Sequence, residues 1–324
     1  MNNFWQKLAK KKKPFFVLAP MHDVTDIATR QMLVKYGKPD VLFTEFVACD
    51  GLVNKDAKKI LMKNLRFLED EHLIVAQFFG ARPENFRYCA EVARKLGFDG
   101  IDINMGCPDK SIVDQGAGAA LMKNPKRARE IIRAAKKGAG DLPVSVKTRI
   151  GWSENEIESW LAELLSEKPA AIIVHGRTKK QSFAGTADWD AIKRAVEIAK
   201  GSGVVIIGNG DIKSRKDGVR KAKESGVDGI MVGRGVLGNP WFFNHKVKIE
   251  NVPVAERLEA MIEHARLFEK FLKGTKNYNV IKKHYAVYAS GFDGAKGLRT
   301  ELMGTKSAKQ AWHVVKRFLR KNRV

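Results

Sequence analysis

The run Phe16-Val17-Leu18-Ala19-Pro20-Met21 decides between two α/β architectures. An open doubly wound sheet announces itself with a G-x-G-x-x-G turn after its first strand. Here an apolar strand ends instead in Ala19-Pro20-Met21. Working outward from this first strand at 16–19, seven more short apolar runs appear, at 41–44, 74–78, 100–103, 143–147, 171–174, 204–207 and 229–232. They are rich in Val and Ile and apolar on both faces, the pattern of parallel strands covered by helices. Helical patterns lie between them, among them 83–96, 125–137, 154–166 and 189–200. Pro83 and Pro125 sit where a first helical turn tolerates a missing N–H. Eight strands, each followed by a helical segment, predict an α/β fold of the (β/α)8 TIM-barrel type.

The pattern changes after Asn239-Pro240-Trp241. From Val254 onward the reading is helical, with Leu258, Met261, Ile262, Ala265 and Phe268 on one face. Further helices are expected at about 279–290 and 307–322, separated by a Gly-containing segment at 291–297. The expected organisation is a basic N-terminal extension over 1–13, a barrel over 14–250, and a small all-helical domain over 251–324. The chain's 324 residues suit this division, since one such barrel takes roughly 250.

Charge is the first functional clue. Lys and Arg number 59 against 36 Asp and Glu, a formal net charge of +23 that implies a polyanionic partner. Residues 252–324 hold 16 basic and 6 acidic side chains, so the field is densest in the C-terminal helices. No stretch approaches the roughly 20 apolar residues that span a bilayer, and no membrane partner is expected. The N-terminus is amphipathic and ends in Lys10-Lys11-Lys12-Lys13, without the apolar run of a secretion signal, so the expected location is the cytoplasm. Cys49, Cys89 and Cys107 are an odd number without metal-site spacing, which argues against a disulfide framework and against zinc. Oligomeric state is left open, a monomer included.

In such a barrel the chemistry sits at the C-terminal ends of the strands. Those ends carry Gln77 on strand 3, Asn104 on strand 4 with Cys107 just beyond, and Lys147 and Arg149 on strand 5. Strand 6 ends in His175-Gly176-Arg177, strand 7 in Asn209-Gly210-Asp211, and strand 8 in Gly233-Arg234. A purely structural barrel has no need of polar groups at nearly every such position. The glycine turns after strands 7 and 8 let backbone N–H groups approach an anion, the usual phosphate cup of this fold. Lys147 and His175 then face the mouth, where a cation stabilises a reduced flavin. Cys89 lies in an amphipathic helix and reads as a small core hydrophobe, whereas Cys107 follows Asn104-Met105-Gly106 on a loop.

At these residues the sequence resembles the tRNA-dihydrouridine synthase family. The segments that carry the resemblance are Leu18-Ala19-Pro20-Met21, Asp102-Ile103-Asn104-Met105-Gly106-Cys107-Pro108, Val146-Lys147-Thr148-Arg149-Ile150-Gly151-Trp152 and Val174-His175-Gly176-Arg177-Thr178. They continue through Gly208-Asn209-Gly210-Asp211, Val232-Gly233-Arg234 and Gly238-Asn239-Pro240-Trp241. The resemblance implies that NADPH reduces FMN, that hydride passes to C6 of a tRNA uridine, and that Cys107 protonates C5. It also implies an FMN site formed by Pro20, Met21, His22, Gln77, Lys147, His175, Asn209, Gly210, Asp211, Gly233 and Arg234. Asn104, Arg149 and Arg177 would bind the uracil, and the basic helices would hold the tRNA. One departure stands out: the family usually follows Ala-Pro-Met with small residues, and here His22-Asp23 follow.

Besides peripheral association of Lys10–Lys13 with an anionic membrane surface, two other readings stay open at the level of sequence. One is an FMN barrel acting on a free pyrimidine, which gives no reason for the basic helices. The other is a non-catalytic RNA-binding barrel, which predicts a colourless protein.

Overall fold

The structure is a computed structural model that describes residues 3–11 and 14–322. Lys12 and Lys13 of the basic run therefore lie outside the described residues, as do the two residues at each end. Eight parallel strands form the barrel: β1 Phe15–Leu18, β2 Leu42–Phe43, β3 Ile74–Phe79, β4 Gly100–Met105, β5 Val144–Arg149, β6 Ala171–His175, β7 Val205–Asn209 and β8 Gly229–Val232. Each pairs with its sequence neighbour from β3 through β8, β3 also pairs with β2, and β8 returns to β1. A single bridge, Val17 to Val41, with the Leu18 N–H donating to the Val41 carbonyl at 3.0 Å, joins β1 to β2. A two-residue strand, Val47–Ala48, adds to the far end of β3.

The strands are buried along their whole length apart from Phe79 and Lys147. That explains why their sequences read as continuous rather than alternating apolar runs. The observed limits fall within two residues of the expected ones at every strand. The connecting helices start where local chemistry provides for them. Asn124 caps Pro125–Ala139 through a bond from the Arg127 N–H, Asp188 caps Trp189–Ala199, and Ser214 caps Arg215–Ser225.

The chain divides into two compact units. The first joins the chain up to Pro20 with Asp40–Gly233. The second joins Met21–Pro39 with Arg234 onward. Within the first, Phe4–Lys11 is a helix whose Trp5 is fully buried beside Phe15 and Phe43. The stretch read as a basic extension thus contributes an aromatic to the core beneath the N-terminal strand ends.

Within the second unit, helix Ile27–Gly37 shares one apolar core with the long helix Val254–Leu272 and with Lys282–Tyr288. Ile27, Ala28 and Met32 meet Leu258, Met261, Ala265, Phe268, Tyr285 and Tyr288 there. The segment expected as a separator contains the start of a further helix, Ala295–Met303. Leu298 and Leu302 bury one face of it, and that gain outweighs the roughly 1 kcal/mol cost of Gly297 in a helix. Among the described residues no helix is long and apolar enough to cross a membrane.

Candidate active site

The register of the strands builds the mouth of the barrel in layers. Gln77 lies opposite Asp102 and Asp102 opposite Ser145. Two residues further along, Asn104 lies opposite Lys147; two further again, Arg149 meets His175 and His175 meets Asn209. Side chains alternate along a strand, so Ser145, Lys147 and Arg149 share one face, as do Asp102 and Asn104. Sequence reasoning chose most of these residues from their places at strand ends. It passed over Asp102 and Ser145, although a carboxylate in the middle of the apolar strand Gly100–Met105 was a visible signal.

The cysteine loop is held from both sides. Asn104 Oδ1 accepts from the Cys107 N–H at 2.9 Å and from the Gly106 N–H at 3.2 Å. The Cys107 carbonyl accepts from the Ala119 N–H at 3.0 Å. Gly118, at φ +59°, passes so close that a Cβ there would lie 2.9 Å from that carbonyl oxygen. Cys107 is half-buried, whereas Cys49 and Cys89 are fully buried. Burial is the largest influence on its thiol and pushes its pKa up, so it stays protonated at neutral pH.

The neighbouring charges are costly. Burial raises the Asp102 pKa to about 7, against hydrogen bonds from Ser145 and Gln77 and the charge of Lys147. A rise of that size penalises the ionised form by on the order of 4 kcal/mol. Burial first, and the charge of Arg149 second, lower the Lys147 pKa to about 8. The Lys147 ammonium makes no hydrogen bond among the described residues.

Arg149 and Arg177 hold the loop after β6. Arg149 donates from Nε to the Gly106 carbonyl at 2.7 Å, and from Nη1 to the carbonyls of Thr178 at 3.0 Å and Ser182 at 2.9 Å. Its Nη2 is left without a partner among the described residues. Arg177 is buried and more fully engaged. Its Nε donates to the Ala184 carbonyl at 3.1 Å, and its Nη2 to the Gly185 carbonyl at 2.7 Å and to Asp211 Oδ2 at 2.6 Å. Its Nη1 lies 3.3 Å from His175 Nε2 and donates to it. Asp211 also takes the Ala187 N–H at 2.8 Å. The loop so held presents Phe183, 61% exposed, and Lys179 stacks with Lys123 on the Trp152 ring at 4.6 and 3.9 Å. Phe183 has no signal in the sequence beyond an aromatic in a polar loop.

The remaining expected residues fall as follows. Leu18 pairs with Val232 at the ends of β1 and β8, where the Ala19 N–H donates to the Val232 carbonyl at 2.8 Å; Pro20 and Gly233 follow just beyond these ends. Asn209 ends β7 and donates to the Met231 carbonyl at 2.9 Å. Gly210 follows at φ +131° and Asp211 at φ +51°, so the β7 turn is a left-handed one. A Cβ on Gly210 would come within 2.5 Å of Ala187 Cβ and 3.2 Å of the His175 ring. Met21, His22 and Arg234 belong to the second unit. Met21 closes a tight turn with Thr25, whose hydroxyl accepts the Met21 N–H at 2.9 Å. His22 is exposed, and Arg234 opens the short 3-10 turn Arg234–Val236.

A cavity of about 360 Å³ opens at the opposite, N-terminal ends of the strands, bordered by Pro143, Ala170 and Val204. Barrels of this kind place no chemistry there.

The profile of the family described as dihydrouridine synthase (Dus) matches residues 17–322. The chain belongs to the dihydrouridine synthase family. A Bacillus subtilis protein described as probable tRNA-dihydrouridine synthase 2 is 39% identical, over 98% of this chain and 97% of its own length. A Staphylococcus aureus probable tRNA-dihydrouridine synthase is 38% identical over 95% of this chain and 93% of its own. Among solved structures, a morphinone reductase variant in complex with tetrahydroNAD superposes with a TM-score of 0.52 at 13% identity. It covers 73% of this chain and 87% of that one, and it bears on the fold alone. Dihydrouridine synthases are oxidoreductases, so the polar mouth of this barrel is the place to look for a reduction.

Proposed function

We propose that the chain is a tRNA-dihydrouridine synthase, using FMN reduced by NADPH to saturate the C5–C6 bond of a tRNA uridine. The observation that carries this reading is the arrangement at the mouth: a protonated, half-buried thiol on a pinned loop beside a cation that lacks a hydrogen-bond partner. That cation, Lys147, fits the electron-rich edge of a flavin, with Gln77 and His175 as further contacts. The turns at Gly210 and Gly233 fit its phosphate, with Pro20 and Asn209 as further candidates in the same unit, while Met21, His22 and Arg234 stay candidates from sequence alone. When bound and reduced, FMN supplies a hydride to C6 of the uracil.

The chain's own residues do the rest. Hydride addition at C6 leaves electron density on C5 and O4, which requires an acid on the other face of the ring. Cys107 holds a proton at Sγ for C5. The free Nη2 of Arg149 and the second N–H of Asn104 Nδ2 are donors suited to the uracil oxygens. Arg177 has four of its five N–H groups committed elsewhere, and its role is to orient His175 and the 178–185 loop rather than to contact uracil. Asp211 acts through Arg177 in the same way. The target base must leave its stack to reach the mouth, so RNA on either side of it must be held.

Helix Ala308–Asn322 offers such a grip. Trp312, His313, Lys316, Arg317, Arg320 and Lys321 line a groove of about 740 Å³, with Lys316 Nζ 4.6 Å from the Trp312 ring. Arg317 is paired with Glu301, which leaves Lys316, Arg320 and Lys321 as the cations for phosphates.

The purified protein should be yellow, bleach with NADPH, and convert uridine in unmodified tRNA far faster than free uridine. Equal turnover on the two would point to a reductase of free pyrimidines. A colourless protein that takes up no added FMN would end the redox reading altogether.

A further inference from the structure

Beneath the mouth, four side chains and two backbone amides form one hydrogen-bonded line. Ser145 Oγ donates to Asp102 Oδ1 at 2.6 Å, and Gln77 Nε2 donates to Asp102 Oδ2 at 2.6 Å. Asn104 Nδ2 donates to Gln77 Oε1 at 3.0 Å. Asn104 Oδ1 then takes the N–H groups of Gly106 and Cys107. Ser145, Asp102 and Gln77 are completely buried.

Core packing does not call for a carboxylate at this level of the barrel. The residues that continue the same register beyond Ser145 are Ala171 on β6 and Val205 on β7. Burying an acid where neighbouring strands place Ala and Val needs another reason, and the polarity of the line supplies one. An ionised Asp102 only accepts, so Gln77 turns its nitrogen toward it and its oxygen toward Asn104, and a protonated Asp102 still offers its carbonyl oxygen to that nitrogen. Asn104 must then donate from its nitrogen, which leaves its oxygen for the loop. The two loop amides demand an acceptor from the other end, so both ends impose one direction on the line. Reversing either amide would leave two buried groups facing like partners.

We propose that Asp102 is a positioning residue for Cys107, acting through Gln77 and Asn104 to fix the backbone from which the thiol is presented. Its bearing on the reaction rests on the reading of Cys107 as the acid, but the position of the thiol can be measured without turnover. Lys147 is the charged group that faces Asp102, and it takes no part in the line.

The test is the rate at which iodoacetamide alkylates Cys107 in the full-length protein, resolved by peptide mass spectrometry. The buried Cys49 and Cys89 serve as internal controls for unfolding. Asp102→Asn keeps an acceptor toward Gln77, and its amide can donate to Ser145, whose hydroxyl turns to the Ile101 carbonyl already 3.3 Å away. Its Cys107 rate should stay within about threefold of the parent. Asp102→Ala removes the acceptor, and the Cys107 rate should rise roughly tenfold or more, as for the loss of a buried hydrogen bond that restrains a loop. An unchanged rate in Asp102→Ala overturns the proposal, as does an equal rise in Asp102→Asn. Should Asp102→Ala expose Cys49 and Cys89, Gln77→Met gives the same reading, and an unchanged Cys107 rate there overturns it. None of these outcomes touches the assignment of Cys107 as acid, which activity of a Cys107 variant decides separately.

Discussion

Two regions of this molecule bury titratable groups, and they do opposite things with them. At the barrel mouth, burial moves Asp102 up to about 7 and Lys147 down to about 8, both beside neutrality, and the mouth keeps Cys107 and Lys147 partly open. In the helical unit, His264 and His284 are sealed with Thr29 and Tyr288. Thr29 Oγ1 is 3.2 Å from His264 Nε2, and the Gly238 N–H donates to His284 Nδ1 at 3.2 Å. Burial there drives His264 well below its ordinary range and His284 to about 3. Those rings are neutral spacers that satisfy hydrogen bonds. Burial alone therefore does not mark a working site. At the mouth, by contrast, burial leaves protonation near balance next to an opening.

The largest expected effect sharpens the first half of that contrast. Cys107→Ala should lower dihydrouridine formation by roughly 10²- to 10⁴-fold, the usual weight of a general acid, while flavin absorbance stays. Mapping dihydrouridine in tRNA incubated with the variant checks this, and activity within twofold of the parent would remove the thiol from the mechanism.

Acid should break the helical unit first. The histidines have folded pKa values below the unfolded value of 6.5, so the unfolded state binds more protons and stability falls as pH falls below 6.5. Each contributes a slope of at most about 1.4 kcal/mol per pH unit, complete for His284 near its folded value of about 3. Urea unfolding of the protein between pH 6 and 4.5, above most carboxylate titration, measures it. A flat profile would mean that the rings are not held neutral.

The mouth should respond the other way to loss of a charge. Lys147→Met removes a cation that burial disfavours, so the flavin-free variant should melt a few degrees higher at pH 7 while binding FMN more weakly. The gain should fade toward pH 10, where the parent's lysine is neutral in the folded state. Calorimetry at the two pH values reads this, and a lower melting temperature at pH 7 would show that Lys147 stabilises the mouth rather than burdening it.

The smallest effect concerns the groove of helix Ala308–Asn322. Lys316→Ala with Arg320→Ala should flatten the dependence of log K on log salt by about 1.5, as for two lost phosphate contacts. FMN affinity should be unaltered. An unchanged slope for tRNA binding would place the grip elsewhere, and the 178–185 loop with Phe183 and Lys179 would be the next candidate.

Much of the barrel was legible because parallel strands leave a direct record: runs of Val and Ile that must be apolar on both faces, each closed by a polar strand end. The places of Cys107, Lys147 and His175 at or just past strand ends were legible for the same reason. Helix Ala295–Met303 was not, because Gly291, Gly294 and Gly297 read as a breaker and only the buried Leu298 and Leu302 overrule them. Helix Ile27–Gly37 follows β1 in sequence yet packs in the helical unit, a choice set by the partners of Ile27 and Met32.

By itself, then, the sequence determined the strand count, the identity of the polar strand ends and the excess of positive charge, because each depends on residue type and local spacing. Only the tertiary structure decided that Asp102 is tied to the Cys107 loop, that Arg177 is committed to its own loop and to His175, and that Arg149 keeps a nitrogen free. Hydrogen-bond partners 25 to 43 residues apart are chosen by register across the barrel, and no local pattern encodes which donor is used up and which is left over.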